Sequence, residues 1–133
     1  MNDQIIKTMI VEDEQEALDL LANLIEATGI ATVIESTTDP SAAVDLIIKN
    51  DPDILFLDIR MPRMSGFDIL NELRERGKVN PHVVFTTAHD EYAIKAFDYA
   101  AFDYLLKPID PDRLLETFTR FSGNGRRDSL DRA

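Results

Sequence analysis

Cysteine is absent from the 133 residues, which removes disulfides, a thiolate metal site and a thiol nucleophile from consideration. No apolar run reaches the ~20 residues that a membrane-crossing helix needs. The first residues carry no basic segment followed by an apolar block of the kind that directs export. Cations are scarce: 14 Lys and Arg against 25 Asp and Glu give a formal net charge of −11. Binding to a nucleic-acid backbone rests on clustered Lys and Arg, so this chain is a poor candidate for gripping DNA or RNA itself. The resulting expectation is a soluble, cytoplasmic, single-domain protein, long enough to bury a core without covalent staples. Internal repeats and low-complexity segments are absent too.

What is present is a rhythm of short apolar runs and amphipathic stretches. Asp53-Ile54-Leu55-Phe56-Leu57-Asp58 places four large apolar residues between two aspartates, the pattern of a strand buried on both faces in the middle of a parallel sheet. Ile5–Val11, Ala31–Ser36, His82–Thr87 and Asp103–Lys107 read as further strands. Between them, apolar residues recur at helical spacing. The series is Ala17, Leu18, Leu21, Leu24 and Ile25, then Ala43, Leu46 and Ile47, then Phe67, Leu70 and Leu73, with Leu114, Leu115 and Phe118 last. A short helix is expected over Tyr92–Phe97. Gly29 suits the end of the first helix, and Asp39-Pro40 the start of the second. Alternation of five strands with five helices predicts an α/β domain with a parallel sheet and right-handed crossovers.

Open parallel sheets bind ligands at the carboxyl ends of their strands. Those ends carry Glu12 and Asp13, then Asp58, then Thr86 and Thr87, then Lys107. Taken singly, each has an ordinary use. An aspartate at a strand end most often caps the next helix, Glu12-Asp13 suits a helix N-terminus, Thr87 suits a turn, and a lysine before proline is usually solvated. Gathered in one crevice they describe something else. Three carboxylates suit Mg²⁺, which prefers hard oxygen ligands, and a lysine with a hydroxyl can meet an anionic group beside an aspartate nucleophile.

The motifs Val11-Glu12-Asp13-Glu14, Leu57-Asp58-Ile59-Arg60-Met61-Pro62 with Gly66, Thr86-Thr87-Ala88 and Lys107-Pro108 together closely resemble the receiver domain of two-component response regulators. The resemblance runs from about Ile6 to Phe121. It implies a flavodoxin-like (βα)5 three-layer sandwich whose parallel five-stranded sheet has the order 2-1-3-4-5. It also implies that Asp58 accepts a phosphoryl group from the phosphohistidine of a sensor histidine kinase. Mg²⁺ would be held by Glu12, Asp13, Asp58 and the backbone carbonyl of Arg60. Thr87 and Lys107 would contact the phosphoryl group, and Tyr104 would be the switch aromatic, turning inward as Thr87 is drawn toward the phosphoryl oxygens.

Arg60, two residues past Asp58, and His89, two past Thr87, are solvated loop residues in the plain reading and modulators of the acyl phosphate's lifetime in the functional one. The face of residues 91–121 is expected to form a homodimer on phosphorylation. His82 is assigned no role. The run Ala88–Asp98 with Asp103–Pro108 is similar to receivers that precede LytTR-type DNA-binding domains. On that resemblance the output is transcription, and contact with DNA comes only through an output domain outside these residues. Residues 1–121 would then be the receiver and 122–133, polar and Gly-rich at Gly123-Asn124-Gly125, a linker stub or disordered tail; the alternative is a free-standing receiver.

Three rivals remain. An Asp-nucleophile phosphatase would place a second Asp two residues after the nucleophile, where this chain has Arg60. A phosphorylation-independent interaction module typically lacks one of the acids or the lysine, all of which are present here. Dinucleotide binding needs a Gly-rich turn after the first strand, and Glu12-Asp13-Glu14 stands there. The chain is therefore read as a signalling switch and not an enzyme, with autodephosphorylation at most.

Overall fold

The computed structural model describes residues 4–125. Its centre is β3 (Ile54–Asp58), in which every residue is buried. A strand can be apolar on both faces only if both are covered. β1 (Ile6–Val11) and β4 (His82–Thr87) flank it, with β2 (Ala31–Thr37) and β5 (Asp103–Leu106) at the edges. All four pairings are parallel and the order is β2-β1-β3-β4-β5, the flavodoxin-like arrangement expected.

Strand alternation divides the core in two. Met9, Val11, Leu55, Leu57 and Phe85 pack on one face against α2 (Ala43–Asn50), α3 (Gly66–Arg76) and Ala96 of α4 (Ala93–Asp98). Ile10, Ile54, Phe56 and Val84 pack on the other against α1 (Gln15–Ala27) and α5 (Pro111–Arg120). Short 3₁₀ turns at Pro40–Ala42 and Asp90–Tyr92 lead into α2 and α4.

Local chemistry sets the helix starts. Asp39 accepts a hydrogen bond from the Ser41 amide ahead of α2. Asp110 accepts from the Arg113 amide, with Pro111 at the first position of α5. Ser65 and Asp68 cap α3 reciprocally, side chain to amide, at 3.1 and 2.9 Å. Gly29 follows α1 at φ +74°, a left-handed conformation that glycine adopts without strain. α1 begins at Gln15 rather than at Asp13, leaving Asp13 on the loop above the sheet.

One expectation fails in α5. Hydrophobic spacing places Leu115 inward with Leu114 and Phe118, but it is 41% exposed while Thr117 is fully buried. The buried stripe is Leu114, Thr117, Phe118 and Phe121, spaced by three and four residues, and Leu115 lies about 100° around the helix from Leu114. The tail expected over 122–133 divides: the chain continues through Gly125 as a single π-helical turn, and residues 126–133 lie outside those described. Among the described residues no helix is long and apolar enough to cross a membrane.

Candidate functional site

The sheet brings Glu12, Asp13, Asp58 and Lys107 to one crevice. Carboxylate oxygens of the three acids lie within 4.8 Å of one another. Glu12 follows β1 directly. Its Oε1 accepts from Lys107 Nζ at 2.6 Å, and its Oε2 accepts from the Glu14 amide ahead of α1 at 3.2 Å. Lys107 Nζ also stands 3.5 Å from Asp58 Oδ2. The lysine's position is fixed from its backbone, whose amide donates to Thr87 O at 2.8 Å. Glu12 and Asp58 are each 4% exposed.

Crowding buried acids has an electrostatic consequence. Burial first, and the Glu12 charge second, push the Asp58 carboxyl up to about 7, against the pull of Lys107. Burial also works against the Lys107 charge, but Glu12 and Asp58 outweigh it and hold that ammonium above the ordinary lysine range. The crevice is thus short of positive charge for its acids, the condition that a divalent cation relieves. The donor set, all oxygen and all hard, fits Mg²⁺. No residue in this cluster offers a softer ligand.

The other expected residues form a second, connected group. The Thr87 hydroxyl accepts from the His89 amide at 3.2 Å and is not engaged by Asp58. The Tyr104 hydroxyl donates to the His89 carbonyl, and its half-buried ring packs on the core beside Tyr92. Tyr104 is therefore already turned toward the loop after β4. Arg60 Nη1 meets His89 Nε2 at 3.0 Å, so the loops after β3 and β4 are bridged above the crevice. With Nε2 accepting, the ring proton sits on Nδ1, which faces Glu91 Oε1 at 3.8 Å. Thr86, in register with Asp58 on the neighbouring strand, lines an apolar groove beside Glu12, Leu20, Leu21, Lys107 and Ile109.

Two residues that stand in the sequence motifs have roles that only the fold reveals. A Cβ on Gly66 would stand 2.5 Å from the Asp58 carbonyl oxygen and 3.1 Å from Leu57 Cγ. The first turn of α3 thus presses directly on the backbone that carries the acceptor. Gly66→Ala is expected to cost about 1–3 kcal/mol, since backbone cannot yield as a flexible side chain does; a lowered denaturation midpoint measures it, and an unchanged midpoint would mean that α3 shifts freely. The second is Asp103, at the start of β5. Arg113 grips both its oxygens at 2.6 and 3.0 Å, and the Thr117 hydroxyl donates at 2.6 Å. Burial alone would raise the Asp103 carboxyl, yet these donors and the Tyr104 amide hold it below the usual range. The network ties α5 to the strand that carries Tyr104. An Asp at a strand start with an Arg ten residues on is visible in sequence, but only the fold says that they meet.

Comparison with known proteins gives the family and the fold. The sequence matches the response regulator receiver domain family over residues 8–119. It is 47% identical over 118 residues to an uncharacterized response regulatory protein of Yersinia pestis, covering 88% of this chain and 48% of that one. It is 40% identical over 116 residues to the sensory transduction protein LytT of Bacillus anthracis, covering 87% and 47%. The chain thus spans about half the length of the curated relatives it matches. Among solved structures, the response regulatory domain of protein mrkE from Klebsiella pneumoniae superposes with a TM-score of 0.80 at 30% identity, covering 92% of this chain and 99% of that one. Domains of this kind are signalling switches that bind Mg²⁺ at an acidic pocket, as the Glu12–Asp13–Asp58 cluster provides. By its motifs, its strand order and these relatives, the chain belongs to the receiver domains of two-component response regulators.

Proposed function

We propose that Asp58 is the phosphoacceptor of this receiver and that its phosphorylation by a sensor histidine kinase switches the surface formed by α4, β5 and α5. The observation that carries the reading is the convergence of Asp58, Glu12, Asp13 and Lys107 within one crevice. Glu12, Asp13, Asp58 and the Arg60 carbonyl would hold Mg²⁺. When bound, the ion neutralises charge on the transferring phosphoryl group and on the acids. The chain's own contribution is positioning. Asp58 sits on the most buried strand, Lys107 supplies a fixed positive charge beside it, and phosphohistidine brings an already activated group. Incubation with phosphoramidate, with and without Mg²⁺, followed by intact mass and peptide mapping, tests this. One phosphoryl group, dependent on Mg²⁺ and located on the peptide containing Asp58, is expected. A Mg²⁺-independent adduct, or one mapped elsewhere, would overturn the assignment.

Arg60 and His89 bridge the loops over the crevice and so control the approach of water to the acyl phosphate. Autodephosphorylation of the domain would be set there. On the output side, the Thr87 hydroxyl, which accepts from the His89 amide, would donate its own proton to a phosphoryl oxygen, and its movement toward Asp58 would draw it off that amide. Releasing that bond alters the loop whose carbonyl holds Tyr104, a shift between two packings rather than a new contact made from nothing.

The surface so altered is apolar: Ile94 is 79% exposed, Phe97 82%, Leu106 47% and Leu115 41%. Large exposed apolar residues on three adjoining elements mark a docking face, and a second copy of the domain is its proposed occupant. Sedimentation velocity is expected to give a dimer on phosphorylation and a monomer for Phe97→Asp; a phosphorylated wild-type monomer would count against pairing. Control of transcription through a DNA-binding domain is supported by the resemblance of Ala88–Asp98 and Asp103–Pro108 to receivers that precede LytTR-type domains and by the 43% identity over 115 residues to the transcriptional regulatory protein BtsR of Escherichia coli. Residues 1–121 would then form the receiver, with the link to that domain beginning at residue 122.

A further inference from the structure

Between the loop that follows β3 and helix α4 lies a second cleft, of about 460 Å³, lined by Arg60, Ser65, Phe67, Tyr92 and Lys95 among others and by no carboxylate. The chain has a net charge of −11, yet this cleft carries two cations and no acid; the cleft lined by Arg74 and Arg120 shares that lining, but Arg120 there is paired with Asp103. How the cations are held is more telling. Arg60 is placed by the His89 ring nitrogen at 3.0 Å, and the Lys95 ammonium stands 4.6 Å from the centre of the Phe67 ring. Neither partner carries a negative charge, and neither cation forms an ion pair among the described residues. Both charges are therefore positioned but not neutralised. The Ser65 hydroxyl accepts from the Asp68 amide and keeps its own proton to donate, and Tyr92 brings a second hydroxyl-bearing residue to the cleft wall.

The cleft adjoins the phosphoacceptor through two residues of chain: Asp58 ends β3, and Ile59 and Arg60 both line it. We propose that this cleft receives a carboxylate of the phosphodonor, carried beside the phosphorylated imidazole, and that Arg60 and Lys95 orient the donor over Asp58 through it. This deepens the phosphoacceptor reading and rests on it. The acidic crevice repels an anionic donor, and a cationic cleft alongside it offers the compensating attraction at a defined place. In the transfer, the P–N bond to the donor imidazole breaks with its electron pair left on that nitrogen. A P–O bond forms to an Asp58 oxygen, and the imidazole leaves neutral because its other nitrogen already carries a proton.

The test compares two donors with the same reacting bond, N-phosphoimidazole and N-phosphoimidazole bearing an acetate arm, at low ionic strength with Mg²⁺. The arm is expected to speed phosphoryl uptake by the wild-type domain about fivefold, the scale of a partly exposed ion pair. Lys95→Ala is expected to lower the ratio to about twofold, since Arg60 remains in the cleft, and Lys95→Glu to bring it to one or below. Lys78→Ala, which removes the same charge beyond the far end of α3, is expected to keep the wild-type ratio. A ratio untouched by Lys95→Ala, or lowered equally by Lys78→Ala, would overturn the proposal. If neither donor phosphorylates the domain, the phosphoacceptor reading fails, and an amide NMR titration still decides the cleft. Imidazoleacetate, but not imidazole, is expected to shift the Tyr92 and Lys95 signals; equal shifts from both would end the idea.

Discussion

Asp58→Asn is expected to abolish phosphoryl uptake and, without Mg²⁺, to make the domain more stable at pH 8. Loss of uptake follows from chemistry, since an amide oxygen is not a nucleophile that forms an acyl phosphate. The gain in stability follows from linkage. The folded state holds the Asp58 proton to about pH 7, whereas an unfolded aspartate releases it near ~3.9. An acid whose pKa is raised by folding favours the folded state fully below the unfolded value, and that contribution is lost as pH rises through the folded value. Wild type therefore loses stability between about pH 4 and 8, as the buried carboxylate ionises beside Glu12. Asparagine cannot ionise and escapes the loss. After discounting for partial solvent access, the difference at pH 8 is about 1–3 kcal/mol. Melting curves in a chelator at pH 5 and pH 8 measure it: the variant's advantage should be small at the lower pH and full at the higher. Mg²⁺ at pH 8 should recover wild type and leave the variant nearly unmoved. An advantage equal at both pH values would mean that ionisation of Asp58 is not its source.

Much of this site is legible in the sequence itself, because its parts stand at strand ends and the strands are the clearest elements of the chain. Ile54–Leu57 admits few readings other than a central parallel strand, so Asp58 falls at the crevice by construction. The positions of Glu12, Asp13 and Lys107 follow in the same way. Contacts between distant loops are not legible. Arg60 and His89 have the character of separate solvated residues, and only the closeness of β3 and β4 makes them partners. Gly66 has the character of loop punctuation, while its actual constraint is the space left by the Asp58 carbonyl. The inward placement of Leu115 fails because it follows hydrophobicity where helical phase decides: Thr117, though polar, is buried because it donates to Asp103. Ser65 and Asp68 spell a capping box that is present in the sequence and sharpens the start of α3.

Lys107→Ala is expected to slow phosphoryl uptake by about 100-fold or more, the scale of removing one preorganised charge from a transition state. The lysine stands 3.5 Å from Asp58 Oδ2 and 2.6 Å from Glu12 Oε1, so it stabilises the same oxygens before transfer and their phosphorylated form after it. Its removal has a second consequence. With the ammonium gone, Glu12 and Asp58 face each other unscreened, and stability at neutral pH should fall by about 1–3 kcal/mol, less than for a fully buried pair because Lys107 is partly exposed. Asp58 would hold its proton to higher pH than in wild type, so fewer molecules would carry the ionised nucleophile. These effects separate with and without Mg²⁺. Without Mg²⁺ the wild-type Asp58 carboxyl ionises near pH 7, so the part due to protonation is read from melting curves in a chelator across about pH 7 to 9, whereas the rate in saturating Mg²⁺ reports the charge missing from the phosphoryl group. Lys107→Arg restores charge but not shape, since a planar guanidinium replaces a compact ammonium. It should therefore recover stability more fully than rate. Uptake within about twofold of wild type for Lys107→Ala, far short of the loss expected for a charge on the transition state, would confine the lysine to holding Glu12, and the anion-facing role in this crevice would pass to the metal and the Thr87 loop.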